Sequence, residues 1–261
     1  MTRRRKPAPE LTFDQRLGVF ARTFRRETPR QVAEAVADAG YKMAHWNFAA
    51  IGLPTLPEEL TPELCDEVRQ AFDAVGVSIA SVSATYNLIS PSVNDAIANM
   101  VRAWKVIELA PRLGASVVTI CTGTRDPDDM WRAHPDNGEH YWQWQALRTI
   151  EALAPHAKKA KVTLGIEPEP GNTVADAAIA RRFFEYMKPT IAAGIVLDAA
   201  NLLTPETIGQ QELVLDHALS MLAPWIVGAQ AKDVAASGFS APGAGLMDYP
   251  GWLQQLAPFG W

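Results

Sequence analysis

Seven short runs rich in Val, Ile and Ala recur along the chain with longer amphipathic stretches between them: LGVFAR, YKMAHWNF, VSIASVSAT, SVVTICTG, VTLGIEPE, GIVLDAAN and IVGAQAKD. Each run has the length and side-chain type of a strand, and the stretches near 29–39, 61–74, 92–112, 140–160, 174–187, 206–222 and 249–257 have helical spacing. Two of the helices carry start signals, Thr61 before Pro62 with Glu63 and Glu67 following, and Thr204 before Pro205 and Glu206. Strict alternation of strand and helix predicts parallel strands joined by right-handed crossovers. No Pro/Gly/Ser-rich linker divides the pattern, so a single domain is expected over 16–261, preceded by a flexible basic arm over 1–15 that begins MTRRRKPAPE.

Parallel strands can form an open doubly wound sheet or a closed barrel. The open sheet that binds dinucleotides needs a glycine-rich turn after an early strand, and FARTFRRETP, which follows the first run, contains no glycine. The expectation is therefore an α/β fold of the TIM (β/α)8-type barrel. A length of 261 residues with 48% hydrophobic content suits such a core. No stretch is apolar enough to span a bilayer, and LTFDQRLGVF after the basic start is too polar for a signal peptide. Two cysteines, Cys65 and Cys121, make neither a disulfide framework nor a zinc knuckle, which fits a reducing cytoplasm. A net charge of −5 with interspersed signs argues against nucleic acid as a partner.

Barrels gather their chemistry on the loops that follow the strands. Those ends read Arg22, then His45-Trp46-Asn47, Tyr86-Asn87, Cys121 to Thr124, Glu167, Asp198 with Asn201, and Gln230 with Lys232-Asp233. In GIEPEPGN the prolines at 168 and 170 end the strand ladder stiffly, leaving Glu167 at a rim. Strand alternation makes Glu167, Asp198 and Gln230 inward-facing, so three oxygen donors converge, a set that suits Mg²⁺ or Mn²⁺. Carboxylates that merely pair with Lys232, Arg22 or Lys42 around the rim are the competing reading. His45, Asn47, Tyr86, Asn87, Asn201 and Lys232 are candidate substrate contacts, each with a purely structural alternative. The long connection TRDPDDMWRAHPDNGEHYWQWQ has the character of a lid, with Trp131, Trp142 and Trp144 as candidate covers for a sugar-sized pocket.

The segments GIEPEPGN, IVLDAANLL, AKDV and GAGLMDYPGWLQQL, in that order and spacing, resemble the sugar phosphate isomerase/epimerase family of the xylose-isomerase-like barrel superfamily. The resemblance implies one divalent metal, Mn²⁺ or Mg²⁺ first with Co²⁺ or Zn²⁺ as alternatives, held by a Glu after the fifth strand, an Asp after the sixth, a His on the seventh and a Glu on the eighth. The first two fall on Glu167 and Asp198. It also implies a small sugar or polyol substrate and carboxylate-mediated proton transfer through an enediolate, with Glu167 catalytic. A polyol dehydratase, or an impaired sugar- or partner-binding relative, are the alternatives; oligomeric state is left open, a homo-oligomer included. Two departures stand out. Gln230 occupies the seventh-strand His position, and the sequence ends at Pro258-Phe259-Gly260-Trp261, where the eighth strand and its Glu would begin. The expectation is a barrel with its eighth strand missing, read as an incomplete version of a longer chain because an open seam exposes core.

Overall fold

The structure is a computed structural model that describes residues 16–257, so the arm expected over 1–15 and residues 258–261 lie outside the described residues. Seven strands, β1 (Gly18–Phe20), β2 (Met43–Trp46), β3 (Ser78–Ser83), β4 (Val117–Cys121), β5 (Thr163–Glu167), β6 (Ala193–Asp198) and β7 (Ile226–Gln230), pair in parallel, each with the next. Among the described residues β1 and β7 have no strand between them. The sheet is thus a TIM-barrel arc with one strand position unfilled, as the alternating pattern predicts.

Seven α-helices follow the strands: α1 (Pro29–Asp38), α2 (Pro62–Ala74), α3 (Val93–Leu113), α4 (His140–Ala160), α5 (Ala177–Tyr186), α6 (Gln211–Leu222) and α7 (Tyr249–Leu256). Their starts obey local chemistry. Thr28 and Gln31 form a reciprocal capping box ahead of α1, and the Thr61 side chain accepts from Leu64 N at 3.2 Å ahead of α2. The helix expected from 206 begins only at Gln211. Thr204 and Thr207 instead exchange hydroxyl-to-backbone bonds, Thr204 N to Thr207 Oγ1 at 2.8 Å, which offers the backbone an alternative to the helix. Asp176 caps α5 at Ile179 N, so that helix starts three residues later than expected. A short antiparallel hairpin, β8 (Asp233–Ala235) with β9 (Gly238–Ser240), follows β7 and has no counterpart in the sequence expectation.

The core lies between the arc and the helices. On β5, Leu164 and Ile166 are fully buried, as are Ile195 and Leu197 on β6, and all four belong to the same core as Ile150, Leu153 and Phe183 of the helices. Each such side chain contributes about 1.5–3 kcal/mol on burial. The intervening residues face the arc's interior: a Cβ added at Gly165 would lie 2.7 Å from Val196 Cγ2 and 2.8 Å from Val117 Cγ1, so glycine there lets strand neighbours fill the interior layer. Two residues further along the same strand, this alternation delivers Glu167 to the top. No helix among the described residues is long and apolar enough to cross a membrane.

Candidate functional site

The register sets two of the expected donors side by side and places the third at the end of β5. Cys121 pairs with Glu167 across β4 and β5, and Asp198 pairs with Gln230 across β6 and β7. Asn201, in the short 3-10 turn after β6, ties them together: its Nδ2 donates to Glu167 Oε1 at 3.1 Å and to the Pro168 carbonyl at 3.0 Å, while its Oδ1 accepts from Lys232 Nζ at 2.6 Å. Lys232 Nζ also lies 3.3 Å from Asp198 Oδ2 and 3.9 Å from Glu169 Oε1. Asp198 Oδ1 accepts from Ala200 N at 3.0 Å, which fixes the carboxylate's rotamer and leaves Oδ2 facing the cluster. Sequence reasoning singles out Glu167, Asp198, Asn201 and Lys232, and the fold brings these four into one network.

Three carboxylates, those of Glu167, Glu169 and Asp198, thus share one ammonium. Burial, with the neighbouring charges of Glu169 and Asp198, holds the Glu167 carboxyl well above the ordinary carboxylate range. Burial likewise raises Asp198, against the pull of Lys232. Oxygen donors carrying this excess of negative charge form the chemistry that a hard divalent cation satisfies. Glu167, Asp198 and the Gln230 amide are the residues able to hold one. Among the described residues no group of three His, Cys, Asp or Glu side chains is arranged to hold a metal ion.

The opposite wall is less polar. His45 is partly buried on β2, with its Nε2 3.1 Å from Thr119 Oγ1 and its ring 4.9 Å from the Phe20 ring. Burial lowers its pKa to about 4. The folded state therefore keeps His45 neutral between about pH 4 and the ordinary histidine range near 6.5, where the unfolded chain takes up a proton. Stability consequently falls as pH drops through that window. Denaturant unfolding at pH 7.5 and pH 4.5 should show wild-type protein losing about 2 kcal/mol more than His45→Gln. Equal losses would mean that the imidazole is solvated and readily charged.

The other expected contacts have structural partners. Asn47 is buried and its Oδ1 accepts from Ala49 N at 2.8 Å, capping the turn after β2. Asn87 clamps the loops after β3 and β4, with Nδ2 donating to Thr124 O at 2.8 Å and Oδ1 accepting from Thr124 N at 3.0 Å. Gly123, at φ +83°, leaves no room for a Cβ beside Asn87 Oδ1. Tyr86 differs: it is buried, and its hydroxyl has no hydrogen-bond partner among the described residues. The thiol of Cys121 donates to the Tyr86 carbonyl at 3.4 Å, and burial, with Glu167 and Glu169 nearby, pushes that thiol's pKa up.

Trp131 is half exposed on the long connection after β4. That connection is laced to the β5 loop through Asn137, which donates to Gly171 O at 2.9 Å, and Asn172, which accepts from Gly123 N at 2.7 Å. Trp142 instead lies under Arg125, 3.7 Å from its ring, in a groove between α3 and α4, and Trp144 is exposed on α4. Three residues that the sequence reading did not place now stand out. Thr119 partners His45, Phe20 packs against His45, and Phe239 on β9 lies beneath the Lys232 ammonium, 4.1 Å from ring centroid to Nζ. Thr119 sits two residues before Cys121 on the same strand face, so alternation alone would have located it.

A family model described as xylose isomerase-like TIM barrel matches residues 33–261. No curated protein matches the sequence. Among solved structures, the chain is similar to the apo form of the 3-keto-D-glucoside 4-epimerase YcjR from E. coli, at 14% identity and a TM-score of 0.72, covering 94% of this chain and 88% of that one. It is similar to the probable 3-DHS dehydratase AsbF from Bacillus anthracis, at 12% identity and a TM-score of 0.68, with 92% and 88% covered. A third likeness is to a xylose isomerase-like TIM barrel protein from Mycobacterium smegmatis in complex with magnesium, at 16% identity and a TM-score of 0.64, with 94% and 86% covered. At these identities the likenesses speak to the fold.

Proposed function

We infer that this chain, which belongs to the xylose isomerase-like TIM barrel family, is a divalent-metal-dependent isomerase or epimerase of a small sugar or polyol. The observation that carries this reading is the cluster of Glu167, Asp198 and Gln230 at the ends of three successive strands, with more carboxylate charge than Lys232 neutralises. Glu167, Asp198 and Gln230 would hold such an ion, which when bound would supply Lewis-acid polarisation of the substrate. Glu167 is the group that moves the proton. Burial and the neighbouring carboxylates raise its affinity for a proton above that of an ordinary glutamate, as suits a group that takes up a proton and returns it. Asn201 holds Oε1 and so aims the other oxygen, Oε2, at the substrate. Asp198, fixed by Ala200 N, contributes binding, and the Tyr86 hydroxyl is a donor for a substrate oxygen. Trp131 and Phe20 offer exposed ring faces suited to sugar C–H groups.

One observation favours a second reading, a dehydratase on the same scaffold. The ionisable carboxylates all lie on the β5 and β6 side, and the facing wall offers His45, kept neutral by burial. One-sided proton removal followed by loss of a hydroxide needs no second carboxylate. The test is Mn²⁺ titration of the full chain by calorimetry, followed by NMR of ketoses and inososes incubated with the loaded protein in D₂O. Stoichiometric binding, with deuterium entering at the carbon beside the carbonyl, is the expected result, and a product lighter by one water would select the dehydratase. A folded protein that binds no Mn²⁺ and exchanges no proton would sink both readings.

A further inference from the structure

Lys232 occupies an unusual position, because its ammonium touches two sites of opposite character. On one side Nζ lies 3.3 Å from Asp198 Oδ2 and 2.6 Å from Asn201 Oδ1. On the other it sits over the Phe239 ring at 4.1 Å. The backbone at this point is tied down from both directions. Tyr249 Oη donates to the Lys232 carbonyl at 2.8 Å, and the next residue, Asp233, is fully buried and accepts from the backbone N–H groups of Val234, Gly243, Gly245 and Met247 at 2.8–3.0 Å. The β8–β9 hairpin therefore rises from a fixed base, and what it delivers to the site is the ring of Phe239. That ring is 53% exposed, so core packing does not explain it.

We propose that Lys232 is a built-in rival of the divalent cation at Asp198, and that Phe239 is the positioning residue that sets how strongly it competes. The inference rests on the reading of Asp198 as a metal ligand. An ammonium and a divalent ion repel each other strongly at contact distance, so they cannot share Asp198 Oδ2, and binding of the ion requires Nζ to withdraw. The Phe239 face steadies the ammonium where it stands, over the ring and beside Asp198, since a ring quadrupole attracts a cation. The observed ion affinity is then the intrinsic affinity of the donors reduced by the cost of moving Lys232, and the ring raises that cost.

The experiment is Mn²⁺ titration of the metal-free full chain, by calorimetry and by the EPR signal of free Mn²⁺, across a mutant cycle. Lys232→Met should tighten Mn²⁺ binding about tenfold by removing the rival. Phe239→Ala should tighten it about two- to fivefold, because a rival that loses one partly exposed cation–π contact is easier to displace. Phe239→Leu, which keeps apolar bulk but no ring face, should behave like Phe239→Ala, and Phe239→Tyr like wild type. In the Lys232→Met background the Phe239 substitutions should have no effect. An unchanged or weaker Kd in Phe239→Ala, or the same tightening with and without Lys232, overturns the proposal while leaving the metal reading intact. If neither wild type nor Lys232→Met binds Mn²⁺, the metal reading fails and the proposal fails with it.

Discussion

Glu167→Gln is expected to lower kcat/KM on any substrate of this site by about 10³-fold or more and, in metal-free protein, to make the fold more stable by about 1 kcal/mol. The two effects have one cause. Glu167 is held above the ordinary carboxylate range first by burial and then by the charges of Glu169 and Asp198, so its ionised form is a burden on the folded state. The folded protein keeps the proton to higher pH than the unfolded chain does. Its contribution to stability is therefore present at acid pH and lost as pH rises from the ordinary glutamate range toward the raised value. Gln keeps the acceptor for Asn201 Nδ2 but cannot ionise, so it removes both the burden and the base. Thermal unfolding of EDTA-treated protein at pH 5 and pH 8 checks the stability half, with the gap between variant and wild type widening at the higher pH. A variant that is less stable than wild type at pH 8 would show that the carboxylate is compensated by its neighbours, and would remove the argument that the site is built around an absent positive charge.

This trade-off also explains which parts of the site were legible in the sequence. The period-2 alternation marks Glu167, Asp198 and Gln230 as strand-end residues from spacing alone, and the register pairs Asp198 with Gln230 despite an irregularity between Ile195 and Val196 that no spacing foretells. The strand and helix order was equally visible, because apolar periodicity is a property of each element by itself. What could not be seen depends on contacts between distant segments. The roles of Asn47 and Asn87 as turn cap and loop clamp follow from where Ala49, Thr55 and Thr124 come to lie, and no local signal separates an Asn that meets a ligand from one that meets a backbone N–H. The late start of α6 has the same origin at short range, the paired hydroxyls of Thr204 and Thr207 outcompeting a Pro-Glu start signal. Phe239 was invisible for a different reason. It lies on a three-residue strand whose pairing is dictated by Asp233, and a carboxylate that organises a loop reads in sequence like any acid beside a lysine.

Asp233 is the place where that misreading has the largest consequence. From the sequence Lys232 has two candidate ion-pair partners, Asp198 and Asp233, and the structure gives it to Asp198, with Asn201, and turns Asp233 inward. Its two oxygens each accept two backbone N–H groups, Oδ1 from Val234 and Met247 and Oδ2 from Gly243 and Gly245. Burial pushes the carboxyl upward, yet these four donors hold it below the ordinary aspartate range, so the stabilisation is complete at neutral pH and is lost only as pH falls through that lowered value. The fit is close: a Cβ added at Gly245 would lie 2.3 Å from Asp233 Oδ1, so the loop has no slack to find other partners. Asp233→Ala leaves four N–H groups without their acceptor, and even with water reaching some of them the expected cost is about 3–5 kcal/mol, a fall in Tm of about 10 °C for a chain of this size. Asp233→Asn should be nearly as damaging, because its amide keeps one acceptor oxygen and points an NH₂ at donors. The same variants should release the hairpin that carries Phe239 and the carbonyl anchor at Tyr249, so hydrogen exchange is expected to speed up over 233–248 before any other part of the fold. A Tm within 2–3 °C of wild type, with exchange over 233–248 unchanged, would show that the loop is held by its apolar contacts through Val234 and Met247, and would take from Asp233 the role of fixing Lys232 at the rim of the carboxylate cluster.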